Sequence, residues 1–237
     1  RNALTILAWR ALADAFSSLS ADKTIRCIII RGAGDKAFAA GADISEFPNV
    51  RSNAEQAKEY GKATSLALKA VVECMHPTIA LIEGACTGGG LEIATACDIR
   101  FANTSSKFGV PINRLGHPLA YPEMRPVLMA IGRANLLDLL LTGRIIRAEE
   151  ALRMGLVTQV FPDDAIENEV YEMARSISEA APLSNRYTKK FVNRLTANLS
   201  PLNEEELEES YTLCDSDDYA EGVRAFLAKE KPVFKGR

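Results

Sequence analysis

The chain has 237 residues, 47% of them hydrophobic, which is enough for one substantial core with a helical appendage. Its 28 lysines and arginines are interspersed with 31 acids for a net charge of −3, leaving neither a basic stripe for nucleic acid nor an acidic tail. No apolar run approaches the ~18 residues of a membrane span, Arg1-Asn-Ala-Leu does not begin a signal peptide, and five scattered cysteines with two histidines make neither a disulfide frame nor an ordinary zinc site. A soluble, cytoplasmic protein acting on a small molecule is expected, with no metal and only an organic cofactor, if any. Because the chain opens without methionine and moves directly into a helical pattern, a natural N-terminal segment is expected to be missing.

Taken in order, Leu4 to Leu19 reads as an amphipathic helix and Ile25 to Ile30 as a buried strand closed by Gly32 and Gly34. After a loop over 32–49, Asn53 caps a helix running to about Glu73, and Pro77 marks the start of a strand over Thr78 to Ile82. A helix begins in the run Gly88-Gly-Gly90, a short strand follows at Asp98 to Ala102, and Lys107 to Glu123 reads as a loop rich in Gly and Pro. Beyond Tyr121 helices are predicted over 133–140, 147–154, 163–180, 183–197, 202–214 and 217–230, with one strand near Val157 to Val160. The alternation predicts an α/β layered core of parallel strands with crossover helices. Residues 1–132 are assigned to this catalytic core and 133–237 to a helical region that must bury its apolar faces on the core or on another subunit.

Phe38-Ala-Ala-Gly-Ala-Asp43 and Gly84-Ala-Cys-Thr-Gly-Gly-Gly-Leu-Glu92 each place peptides with little or no side chain just after a strand, so bare N–H groups can reach a ligand oxygen. Two such donors make an oxyanion hole, each typically worth roughly 3 kcal/mol of barrier. Enolate formation beside a carbonyl needs such a hole, and a thioester is a natural substrate for it. Two nucleotide readings compete. Gly32-Ala-Gly-Asp-Lys-Ala37 matches a relaxed dinucleotide fingerprint, yet Phe38 to Ser45 reads as loop rather than helix; Gly84 to Gly90 has P-loop spacing, yet Leu91 stands where the lysine belongs. The glycine triplet itself is either a close helix–strand contact or a helix N-terminus aimed at a developing charge. Glu92 sits among Leu91, Ile93, Ala94 and Ala96, either as an acid favoured by the helix dipole or as a proton carrier made basic by apolar surroundings.

Those two segments, with Ala96-Cys-Asp-Ile-Arg100, Lys107-Phe-Gly-x-Pro111 and Leu141-Thr-Gly-Arg144 followed by Ala148-x-x-Ala-x-x-x-Gly-Leu-Val157, occur in an order that resembles the crotonase superfamily, the enoyl-CoA hydratase/isomerase family, over nearly the whole chain. The resemblance implies a spiral of β-β-α turns, a helical trimerisation region giving a homotrimer or a pair of trimers, and acyl-CoA thioester substrates with no separate cofactor. It implies oxyanion N–H groups on Ala42 and Gly89 and a carboxylate at Glu92. Ala40, Asp43 and Ile44 would lie beside a bent CoA, with Phe226 and Lys229 near its nucleotide across a subunit boundary. It also exposes departures. Ile112 stands where hydratases of the family carry a second glutamate, Ser45 replaces a lysine, and the glycine-rich turn is replaced by His117-Pro-Leu-Ala-Tyr-Pro-Glu123. His117 and Glu123 are candidate substitutes, against the alternative of solvated or capping residues. A single carboxylate fits double-bond isomerisation or a retro-type lyase step at least as well as hydration. A non-catalytic acyl-CoA binding protein is the second reading.

Overall fold

The computed structural model describes every residue except Asp35 and Ser210. Strands β1 (Ile28–Arg31) and β2 (Ala37–Ala39) lead through the short α2 (Phe47–Val50) to α3 (Ala54–Val72). The same unit recurs as β3 (Thr78–Ile82), β4 (Ala85–Thr87) and α4 (Gly89–Ala96), and again as β5 (Ile99–Asn103), β6 (Lys107–Gly109) and α5 (Tyr121–Thr142). Successive turns stack strand on strand, with an irregularity in the β2–β4 register between Ala37 and Ala39. The first strand of each turn joins a parallel sheet ordered β1-β3-β5-β8, and the second joins a sheet ordered β2-β4-β6-β7. Strands β7 (Ile146–Arg147) and β8 (Gln159–Phe161), with the short α6 (Ala148–Arg153) between them, complete the two sheets, β7 running antiparallel to β6. This is the expected ββα spiral.

Composition explains the layering. Every residue of β3 is buried because both of its faces are covered, as parallel strands between layers require. With the two-residue period of a strand, Ala80 and Ile82 enter the main core shared with α1 (Ile6–Ala21), α3 and α4, while Ile79 and Leu81 pack on Ile166, Val170 and Ala174 of α7 (Ile166–Glu179). Three cysteines, Cys74, Cys86 and Cys97, serve as small core residues, whereas Cys214 is exposed.

Most elements fall where the sequence placed them: Asn53 caps α3 through its side chain, and β3 has the predicted bounds. Several do not. Leu4 lies outside α1, pairing with the backbone beside Ala42. The predicted loops over 32–49 and 107–123 contain β2 and β6, strands of three residues each, too short to show a period. That β2 follows the glycine-rich stretch, where a dinucleotide fold needs a helix, removes the Rossmann reading; Asp35 of that stretch lies outside the described residues. Helix α5 starts at Tyr121, well before 133, and is kinked at Gly132, whose φ is +71°. The helix predicted over 202–214 is α9 (Glu204–Glu209) with a 3₁₀ turn at Thr212–Asp215; Ser210, within that range, is outside the described residues.

The C-terminal helices α8 (Pro182–Ala197) and α10 (Asp217–Ala228) flank the spiral. Lys189 on α8 fixes that helix, pairing with Asp98 Oδ2 at 2.8 Å and donating to His76 O at 3.0 Å. Among the described residues no helix is long and apolar enough to cross a membrane.

Candidate active site

A cavity of about 280 Å³ opens where the second sheet ends. Its walls come from the segment after β2, the start of α4, the 3₁₀ turn Pro111–Leu115, and the start of α5. Trp9 and Tyr60 close one side, with Trp9 Nε1 donating to Tyr60 Oη at 3.1 Å.

The two peptide groups marked by the sequence both reach this space unpartnered. Gly41 O accepts from Leu4 N at 2.8 Å and Asp43 N donates to Leu4 O at 2.9 Å. In a trans peptide the N–H lies opposite the C=O, so the N–H of Ala42 is directed away from Leu4, and Ala42 lines the cavity. At α4, Gly88 O accepts from Glu92 N at 3.1 Å, which turns the N–H of Gly89 out of the helix start, where an intrahelical partner does not exist. Neither N–H has an acceptor among the described residues. The two loops are held together by Thr87 Oγ1, which donates to Ala40 O at 3.0 Å.

The glycine triplet divides between the two readings offered for it. A Cβ on Gly90 would fall 2.3 Å from Ala39 O, so this glycine lets α4 press against β2. Gly89 faces the Trp9 ring on one side, where a Cβ would come within 2.6 Å, and keeps its amide free.

Glu92 is 5% exposed and lines the cavity from the first turn of α4. Burial pushes its carboxyl well above the usual range, the charge of Glu123 adds to the rise, and Arg51 opposes it. Glu123, 6% exposed, lines the same cavity from the first turn of α5, with Oε2 accepting from Ala120 N at 3.1 Å. Ile112 does reach the cavity, as an apolar part of its wall. Two buried acids and two free amides therefore share one space, an arrangement suited to polarising a carbonyl while moving a proton next to it.

Ala40 and Ile44 line the mouth. Asp43 caps the turn at Ile44–Glu46, accepting from Ser45 N at 3.0 Å and Ser45 Oγ at 2.7 Å, bonds that hold its carboxyl below the usual range. Phe226 and Lys229 are not brought to this cavity within one chain. Phe226, 84% exposed, borders a separate groove between α10 and the start of α8, and Lys229 ends α10 in a left-handed conformation. His117 lines the cavity with Nδ1 3.0 Å from Pro118 O and 3.3 Å from Arg51 Nη2. Arg51 itself, set just after α2 and packed on the rings of Phe47 and Tyr60, carries no signal in the sequence, because only the fold of α2 onto α3 brings it to the site.

Comparison with known proteins identifies the family. The family model for enoyl-CoA hydratase/isomerase matches residues 1–237. A "Probable enoyl-CoA hydratase" of Mycobacterium bovis is 37% identical over 243 aligned positions, spanning 100% of this chain and 90% of its own length. A crotonyl-CoA hydratase of Syntrophomonas wolfei is 32% identical, spanning 93% of this chain and 85% of its own length. The crystal structure of an enoyl-CoA hydratase/carnithine racemase from Magnetospirillum magneticum superposes with a TM-score of 0.97 at 50% identity, covering 99% of this chain and 88% of that one. With a spiral that follows such a structure from end to end and a family model matched at every residue, the chain belongs to the enoyl-CoA hydratase/isomerase family.

Proposed function

We propose that this acyl-CoA enzyme catalyses reversible addition of water across the double bond of an enoyl-CoA. The observation that carries the reading is the pair of buried carboxylates, Glu92 and Glu123, beside the free amides of Ala42 and Gly89. Glu123 takes over the part that Ile112 leaves without an acid. The names of the relatives, hydratases of enoyl- and crotonyl-CoA, support the same reaction.

In this mechanism the Ala42 and Gly89 N–H groups hold the thioester oxygen. Glu123 accepts one proton from water as its oxygen bonds to Cβ, and the π electrons move onto the thioester oxygen as an enolate. Glu92, whose hold on a proton burial strengthens, then gives its proton to Cα. The proton on Glu123 returns to Glu92 before the next turnover. No separate cofactor takes part, since CoA arrives within the thioester. Ala40, Asp43 and Ile44 flank its pantetheine end. Phe226 and Lys229 meet the nucleotide of a neighbouring copy in a homotrimer or a pair of trimers, and the exposure of Phe226 on α10 supports that placement.

The test is the disappearance of the conjugated thioester absorbance of crotonyl-CoA on adding the protein, with 3-hydroxybutyryl-CoA as product. Migration of the double bond without water uptake would replace hydration by isomerisation. Thioester affinity without turnover, and without deuterium exchange at Cα of butyryl-CoA, would leave a binding protein on the same fold.

A further inference from the structure

Arg51 brings a positive charge to the cavity wall and forms no ion pair among the described residues. Its guanidinium lies 5.0 Å from the centroid of the Phe47 ring and 5.4 Å from that of Tyr60. Packing beside two rings whose planes are 72° apart holds the guanidinium in place and leaves N–H donors for an acceptor.

The neighbouring imidazole does not satisfy that edge without leaving another group bare. If His117 Nδ1 donates to Pro118 O at 3.0 Å, it has no lone pair for Arg51 Nη2 at 3.3 Å. If instead Nδ1 accepts from Arg51, the proton sits on Nε2, which is buried without a partner. In either tautomer a donor of this pair lacks an acceptor. Arg51 acts on the Glu92 charge only through space and forms an ion pair with neither Glu92 nor Glu123. A cationic fork with no ion pair among the described residues, beside an imidazole that leaves one donor of the pair bare in either tautomer, matches an anionic oxygen pair brought in by the ligand.

We infer that Arg51, aided by His117, selects acyl-CoA substrates whose acyl chain carries its own carboxylate. This rests on the reading of the cavity as the acyl site. The carboxylate of the acyl group and a phosphate of CoA offer Arg51 similar chemistry, and the experiment separates them.

Glutaconyl-CoA and 2-pentenoyl-CoA have acyl chains of equal length and differ in a terminal carboxylate. The wild-type protein is expected to favour glutaconyl-CoA in kcat/KM by about tenfold or more, as a desolvated charge-assisted pair gives. Arg51→Met should bring that ratio to one or below, and Arg51→Lys, which keeps the charge without the planar fork, to an intermediate value. A wild-type ratio of one or less overturns the inference. So does an equal loss on both substrates in Arg51→Met, which is the signature of a phosphate contact or of a structural role. If neither substrate turns over, hydration is what fails, and the inference is read separately from the relative Kd of glutaryl-CoA and valeryl-CoA in wild type and Arg51→Met. A preference for glutaryl-CoA that the substitution removes supports it, and equal affinities end it.

Discussion

Ala42 and Gly89 stand at matching positions beyond the ends of neighbouring strands: β2 and β4 pair in parallel with Ala39 opposite Cys86, and each amide lies three residues past its paired position. The ladder thus delivers two donors to one end of one sheet. Strand pairing behind them, the Leu4 bonds that flank Ala42 and the Thr87 bond to Ala40 O hold the two segments in place, which keeps the donors preorganised for charge that appears only during reaction.

With both acids needed in turn, Glu92→Gln and Glu123→Gln should each lower kcat for crotonyl-CoA hydration by about 100-fold or more. Affinity for butyryl-CoA should move by no more than a few fold. Steady-state kinetics and titration calorimetry on the two variants check this. Full activity in Glu123→Gln would return the second carboxylate to the status of a helix cap.

Glu92 also makes folding depend on pH. Its folded pKa is raised above the ordinary value of 4.5, mainly by burial and then by Glu123. A raised carboxyl gives stability that is fully present below the unfolded value and is lost as pH climbs through the folded one. Glu92→Gln removes that dependence. The difference in Tm between variant and wild type should therefore grow in the variant's favour from about pH 4 to about pH 8, and be absent at the acid end. A constant offset across this range contradicts the burial of an ionising group.

At Gly90, adding one methyl group brings Cβ to 2.3 Å from Ala39 O, a backbone atom that cannot swing aside. Gly90→Ala should lose about 1–3 kcal/mol in urea unfolding and displace α4, with a matching fall in kcat. Unaltered stability would mean that α4 and β2 are less tightly pressed than the structure shows.

Lys189 is 7% exposed in its side chain and Asp98 28%. Lys189→Met leaves Asp98 with its bonds from Thr78 N and Oγ1 at 2.7 and 2.9 Å, so the loss should be at the low end for such pairs, about 2–3 kcal/mol by chemical denaturation. Because α8 is held there, limited proteolysis should cut the variant first after residue 181.

The sequence was most legible where a local rule is strong. Asn53 followed by an amphipathic run, and Pro77 ahead of an unbroken apolar segment, gave α3 and β3 their bounds. The two segments could be marked as amide donors because each follows a strand and is built of small residues, and the family resemblance then singled out Ala42 and Gly89 within them. Strands β2, β4 and β6 were hidden because three residues cannot display a period, and only pairing with each other makes them strands. The partnership of Glu92 with Glu123 links residues on two helices, and nothing in the spacing between them encodes it. Arg51 was silent for the same reason. Phe226 and Lys229 rest on resemblance, since one chain folds them away from the cavity.

The walls of the cavity have different mechanical origins. The amides directly follow a β-ladder, whereas Phe47 and Arg51 sit on α2 and just after it, in a connection outside both sheets. Exchanging side chains along that connection leaves the hydrogen-bonded frame under the thioester untouched. With the cavity taken as the acyl site, substrate range is open to change by rewriting a four-residue helix and its flanks, and only Arg51, whose charge acts on Glu92, ties that connection to the chemistry.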